Sequence, residues 1–445
     1  MRIVCLLLGF SVITSLIANE EDKHLAKFYE DKAPVQECTP KCAPCCPTPP
    51  EPICSVSYLP NYNDLQCDSG FFIYGDFLYW IANEDNLSPC MTVQGTNTSI
   101  QQPATPTTTT GGGTSIVPAF FFDTLNLKKV NHLNSKWDPG FRAAIGYNFE
   151  HDGWDLEVNY TWYHNKKHRT FSVPGFQVVE IENGATANLF PGNGQLALVD
   201  PWINTSIYDF HPNVGPFLFE KVSSIWKLHF NQLDLALGKK FWISQFMAMR
   251  SFVGARGGYF STRFTNVASS FSGAFFYHVN NFSDQFKDRY WGVGLLAGIQ
   301  PEWHFTRNFI LFSNIDGSLL WGKFKVNKKE DYTSFDMFGV NSVNHHTNAN
   351  SRFMKMQAVF DLALGFRWEE TWCYRIRTAL DIGWENHIWF DDNHRFKTES
   401  SSPKTTPGGS IPFGNGVHEI KIQSYEEEQG NLMLGGAFIR FRIDF

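Results

Sequence analysis

Residues Asp138–Asn165 read DPGFRAAIGYNFEHDGWDLEVNYTWYHN. Two alternating runs flank a tight polar turn. In the first, Phe141, Ala143, Ile145, Tyr147 and Phe149 share one face, and Arg142, Ala144, Gly146 and Asn148 share the other. After Glu150–Gly153, Trp154, Leu156, Val158, Tyr160 and Trp162 take one face, and Asp155, Glu157, Asn159 and Thr161 the other. A period of two makes these strands, one face aromatic and the other polar. One such hairpin fits a soluble sandwich as well as a membrane barrel. The rest of the chain decides between them.

Outward from this hairpin the pattern recurs. Gly70–Ile81, Ser224–Gly238 with Gln245–Arg263, Trp291–Trp303 with Phe309–Trp321, Met354–Trp368 with Trp372–Trp384, and Gln429–Phe445 all alternate. Apparent phase slips near Asn231 and Arg250 read as bulges. Short connections (Glu150–Gly153, Lys239–Ser244, His304–Asn308, Glu369–Thr371) alternate with long ones (Ala82–Pro139, Asn165–Ser223, Thr265–Tyr290, Gly322–Phe353, Glu385–Glu428). Short turns on one side and long loops on the other are the pattern of outer-membrane barrels. Aromatics bracket the strands at a repeated interval: Trp291 with Trp303, Phe309 with Trp321, Trp372 with Trp384. About a dozen residues at roughly 3.3 Å each, tilted by about 40°, rise roughly 30 Å, the height of an apolar band with a girdle at each rim. Trp154, Trp162, Trp291, Trp303, Trp321, Trp372, Trp384 and Phe445 are the expected girdle. Aromatic core residues of a sandwich would not repeat this spacing on the outward phase.

The reading is therefore an all-β transmembrane antiparallel barrel with ten long strands. Asp123–Asn131, Phe271–Val279 and Val417–Ser424 would raise the count to twelve to sixteen if they cross. Thr96–Ser115, Asn341–Asn350 and Thr398–Ser410 are polar, low-complexity loops without core-forming residues.

Composition agrees. Aromatics make up 16% of 445 residues, mean hydropathy is −0.26, and the net charge of −7 offers no basic stripe for nucleic acid. The start reads as a secretory signal over residues 1–18, with charged Arg2, apolar Ile3–Ile17 and Ala18 before the cut. Residues 19–69 form a largely irregular Cys- and Pro-rich segment, and 70–445 the barrel. Export places Cys38, Cys42, Cys45, Cys46, Cys54 and Cys67 in an oxidising compartment, so they are disulfide candidates ahead of zinc ligands. Such a tail is able to cross-link to other envelope proteins.

Gly70–Leu87 (GFFIYGDFLYWIANEDNL) and Trp137–His164 resemble the major outer-membrane, pore-forming proteins of Legionella and Chlamydia-like bacteria. The resemblance extends loosely over Gly70–Phe445 and implies a porin. The terminal Phe445 on an alternating strand resembles the signal read by the barrel-assembly machinery. In chlamydial relatives cysteine cross-links stiffen the envelope, a theme the Cys-rich tail resembles.

On the polar phase, Arg142, Glu157, Asp234, Asp361, Arg367, Arg375, Arg377, Asp381, Arg440 and Arg442 are expected to line the lumen, because a charge facing lipid costs about 2–4 kcal/mol at midplane. Arg375 and Arg377 are expected near Asp361, and Arg440 and Arg442 across the closure from Asp76. Charge rings of this kind set ion preference. Lining an open lumen and filling a narrow one stand level for ten strands. No nucleophile-elbow serine, phosphate loop or HExxH occurs, and Gly292-Val-Gly294 opens no helix. The expectation is a non-enzymatic porin for small hydrophilic solutes and ions, without cofactor, seated in outer-membrane lipid, with the tail periplasmic and the long loops extracellular. A homotrimer is left open. The alternative is a structural or adhesin-like surface barrel with no open pore.

Overall fold

The computed structural model describes residues 69–96, 124–149, 153–174, 178–181, 185–188, 196–202, 219–270, 279–335, 342–372, 376–401 and 421–445. The expected signal sequence, the cysteine-rich segment and the tips of several long connections lie outside these residues.

Ten strands close into a ring: β1 (Gly70–Glu84), β4 (Trp137–Asn148), β5 (Trp154–Ser172), β9 (Phe219–Trp242), β10 (Met247–Ser270), β11 (Val279–His304), β12 (Phe309–Phe335), β13 (Ser342–Trp372), β14 (Ile376–Ser401) and β15 (Lys421–Asp444). Every neighbour is antiparallel. The seam is closed by β15 on β1, with Asp76 opposite Arg440 and Phe77 opposite Ile439. Closure removes both open edges, the condition for a sheet in lipid. Three short strands, β2 (Cys90–Thr96), β3 (Thr124–Asn131) and β8 (Leu196–Val199), form an annexe that joins the ring where Leu198 meets Phe219 of β9. Among the described residues, the remaining strands, β6 (Val178–Ile181) and β7 (Ala185–Asn188), pair only with each other.

The ring count is thus ten, and the candidate strand at Asp123–Asn131 becomes β3 of the annexe, outside the ring. The strands run longer than the sequence pattern indicated. Gly322–Phe353, expected as a loop, is mostly the two-stranded continuation of β12 and β13, paired from Gly322 with Lys355 to Phe335 with Ser342. Its exposed residues are polar, as with Asn327 bonded to Asn348 at 3.1 Å, so no hydrophobic alternation announced it.

The two faces follow the period of two. On β1, Phe71, Ile73, Phe77 and Tyr79 are exposed, whereas Phe72, Tyr74, Asp76, Leu78 and Trp80 are buried. Outward residues elsewhere include Leu295, Phe366, Leu364 and Ile382. So large an apolar belt is a surface for lipid, not water. At the short-turn end Gly153 turns the β4–β5 hairpin at φ +66, a conformation open to glycine at little cost. The first and last described residues meet at this same end, where the Phe445 amide donates to the Phe71 carbonyl at 2.9 Å.

The phase slips expected near Asn231 and Arg250 do not exist. β9 and β10 keep one register from Ala248 opposite Trp242 to Ser269 opposite Lys221. The chain does not slip; the chemistry of its inner face changes. Above Gln232 the inward residues of β9 turn from polar to Phe230, Leu228 and Trp226, so apolar residues occupy both faces and imitate a shift.

Ile439 is exposed on the outer face, and Ile439→Arg is expected to cost about 2–4 kcal/mol. Arg377→Leu, on the inner face, should be better tolerated. The folded fraction after refolding, read by heat-modifiable mobility, checks this; equal yields would reverse the assignment of faces.

Candidate functional site

The interior is layered. At the short-turn end lies a vestibule of about 320 Å³ lined by Tyr74, Asp155, Glu157, Lys240, Arg250, Glu302, Arg367, Arg377, Arg440, Arg442 and Asp444, among others. Its charges are paired across strands. Arg367 holds Asp381 through Nε and Nη2 at 2.8 and 3.0 Å and reaches Glu302 at 2.9 Å; Lys240 takes the other Glu302 oxygen at 2.6 Å. Arg250 engages Asp155 at 2.8 Å and Gln300 at 2.9 Å. Arg377 and Arg442 share Asp444, at 2.7 and 2.6 Å. Arg440 stacks on Tyr74 at 4.0 Å and grips Asp76, while the Tyr74 hydroxyl donates to Glu157 at 2.6 Å.

Above the vestibule comes a dry charged layer. Arg256 is 2% exposed and its five N–H groups find five acceptors: Asp234 twice (2.8 and 3.0 Å), Asp316 (3.1 Å), Asp361 (2.5 Å) and Ser318 Oγ (3.2 Å). Arg142 bonds Asp76 at 3.0 Å, Thr161 at 3.0 Å and both oxygens of Glu385. The Trp80 indole also donates to Glu385, at 3.1 Å, and His387 sits 2.8 Å from Asp361. A gap of about 70 Å³ remains between these groups.

Next is an aromatic layer. Rings from seven strands meet inside the barrel: Trp80, Tyr163, Phe230, Phe260, Tyr290, Phe324 and Trp389 are all buried in one cluster. Trp389 of β14 touches Phe230 of β9 and Phe260 of β10 at centroid distances of 5.5 and 5.7 Å. These partners stand five and four places away round a ring of ten, so one side chain reaches across the lumen.

The annexe covers the long-strand end. Trp202 is buried, its backbone amide donating to Asp200 at 2.9 Å and its indole to the Ser88 carbonyl at 2.9 Å. Inward side chains of the ring hold it: Lys328 donates to the Trp202 carbonyl at 2.7 Å, Asn266 to Asp200 and the Pro89 carbonyl at 2.9 and 3.0 Å, and Arg395 stacks on its ring at 5.1 Å. Burial pushes the Asp200 carboxyl up to about 6, opposed by the Trp202 amide, Asn266 and Lys328. Cys90, within the long connection Ala82–Pro139, is buried on β2 beside Asn131, and burial pushes its thiol up to about 12.

Of the residues singled out from sequence, Arg142, Glu157, Asp234, Asp361, Arg367, Arg377, Asp381, Arg440 and Arg442 sit on the inner face, whereas Arg375 lies outside the described residues. Arg377 does not meet Asp361: it pairs with Asp444, and Asp361 belongs to Arg256 and His387. Arg440 reaches Asp76 as expected, but Arg442 turns to Asp444. Trp154, Trp162, Trp291, Trp303, Trp321, Trp372, Trp384 and Phe445 all face outward, 37% to 57% exposed. The six disulfide candidates, Cys38, Cys42, Cys45, Cys46, Cys54 and Cys67, lie outside the described residues. Sequence reasoning missed Arg250, Arg256, Glu302, Asp316, Glu385 and His387. A single unbroken phase along β10, counted back from Phe260, would have turned Arg256 and Arg250 inward.

The family model described as the Legionella pneumophila major outer membrane protein precursor matches residues 68–445. No curated protein matches the chain. Among solved structures, the chain is similar to the outer membrane protease OmpT from Escherichia coli at 8% identity and TM-score 0.34, covering 86% of this chain and 98% of that one. It is similar to the TodX deltaS2S3 mutant monoaromatic hydrocarbon channel at 7% identity and TM-score 0.28, covering 85% and 91%. For the P. putida toluene transporter TodX the values are 8%, 0.23, 84% and 90%.

Proposed function

Because the chain belongs to the Legionella major outer membrane protein family, we propose that this outer-membrane barrel is a narrow pore for small hydrophilic solutes and ions, shut in the conformation described. The observation that carries the reading is the charged inner wall. Arg142, Arg250, Arg256, Arg367 and Arg440 with their carboxylates continue from the vestibule into the part of the barrel that the apolar belt surrounds. A barrel serving only as an anchor is filled at least as stably by apolar side chains, because desolvating an ion pair offsets most of its attraction. A wetted path has a use for fixed charge of both signs. In this reading diffusion is passive, the short turns and the cysteine-rich tail are periplasmic, and the long hairpins face outward. The tail's thiols link it to other envelope proteins.

The filled aromatic layer favours a second reading, a structural surface barrel whose lumen stays closed. Planar-bilayer recording of refolded protein separates the two. Discrete ohmic steps are expected for the pore; silence from protein shown to be folded supports the structural barrel.

The wall also sets a direction for selectivity. Asp76, Asp155, Glu157, Asp234, Glu302, Asp316, Asp361, Glu369, Asp381, Glu385 and Asp444 outnumber Lys240, Arg142, Arg250, Arg256, Arg367, Arg377, Arg440 and Arg442. A reversal potential of modest cation preference in a KCl gradient is the expected outcome, and anion preference would reject this account of the lining.

A further inference from the structure

We infer that Trp389 is the gate of the lumen: its indole bars the barrel in the closed state and swings aside, on the irregular backbone that follows it, to let solute through. This rests on the pore reading above, and four separate observations point to it.

First, the ring spans the lumen. It is fully buried and packs on Phe230 and Phe260 of the facing wall. Second, that wall has a slot for it. A Cβ added at Gly258 would lie 2.5 Å from Trp389 Cη2, so only glycine leaves room for the tip of the ring. Third, among the described residues the indole N–H has no hydrogen-bond partner although it is fully buried. Most buried indole N–H groups find a partner. An orphan donor makes the barred position the less comfortable of two. Fourth, the backbone is built to yield here. The β13–β14 ladder ends at the pair of Val359 with Trp389. The β14–β15 register shifts between Trp389 and Asn393, and Asp391 sits at φ +50 in the left-handed region. Trp389 is therefore the last residue of β14 held on both sides, and a bulged, locally unpaired segment starts one residue on. Bulges re-aim side chains and favour functional positions.

Below the gate lie the charged layer and the vestibule; above it lies the annexe. Arg142, Glu385 and His387 line the gap of about 70 Å³ in that charged layer. The gate thus divides the charged half of the lumen from the half that the annexe covers.

The test compares unit conductance of wild type, Trp389→Ala and Gly258→Ala in planar bilayers, with folding of each checked by heat-modifiable mobility. Trp389→Ala is expected to raise unit conductance at least threefold. Gly258→Ala, which evicts the ring from its slot, is expected to move conductance the same way. Conductance that appears only in Trp389→Ala, over a silent wild type, overturns the gate together with the pore reading and leaves the ring a fixed plug. Folded Trp389→Ala with unchanged conductance overturns the gate, and wild-type steps then leave the pore reading standing. If Trp389→Ala does not fold, unchanged conductance in Gly258→Ala overturns it instead.

Discussion

Arg256→Met is expected to be the most damaging single substitution in the barrel wall, costing about 3–5 kcal/mol. The reason is arithmetic of charge in a dry place. Arg256 answers Asp234, Asp316 and Asp361 at once, and all four residues are almost fully buried. Methionine fills a similar volume but leaves three carboxylates facing one another, with His387 beside Asp361. Marginal stabilities of about 5–15 kcal/mol make that loss a large share of the whole. Urea unfolding of the protein refolded into vesicles measures it. Arg442→Met is the control: its side chain is 20% exposed at the vestibule and shares Asp444 with Arg377, so a loss within about 1 kcal/mol is expected. Neutralising the partners together, as Asp234→Asn, Asp316→Asn and Asp361→Asn on the Arg256→Met background, should recover most of the stability. Similar midpoints for Arg256→Met and Arg442→Met would refute the view of this layer as desolvated.

That layer also marks where sequence reasoning stopped. The outer surface was legible because lipid demands one chemistry along its whole height: Trp291 with Trp303, and Trp372 with Trp384, recur at one spacing and face outward. Ten strands and alternating short and long connections followed from the same pattern. The interior obeys no such single demand. It is polar at Asp234 and aromatic at Phe230 on one strand, so a hydrophobic count sees a slip where the backbone has none. Nor does local pattern select partners. Arg256 and Asp361 stand 105 residues apart, and Arg377 found Asp444 rather than Asp361 because strand stagger, not sequence distance, decides which charges share a level. The annexe was least legible. Its strands are short, and what fixes it is single side chains such as Lys328 and Asn266 reaching up from the ring.

Trp202→Ala is expected to release the annexe, and the buried Cys90 thiol reports it. Truncating a buried tryptophan costs about 3–5 kcal/mol. Here it removes the indole bond to Ser88 and the surface on which Arg395 and Phe286 pack. A local opening made easier by that amount raises Cys90 labelling by 4,4′-dithiodipyridine by about a hundredfold or more, read at that site by mass spectrometry. The same thiol should report pH. Asp200 is held up to about 6 in the closed annexe, against about 3.9 for a solvated aspartate. The closed form therefore binds its proton more tightly. Closure gains from this group in full below pH about 4, and the gain is lost as pH rises through about 6, a swing of up to about 3 kcal/mol. Glu330 and Asp284 face Asp200 and add to this loss, while Lys328 opposes it. Labelling, corrected against an unfolded control, should thus be slower at pH 5 than at pH 7.5, and Asp200→Asn should flatten the dependence. A wild-type ratio that does not change over this range would mean that Asp200 takes no part in holding the annexe closed, and that Trp202 is held by packing alone.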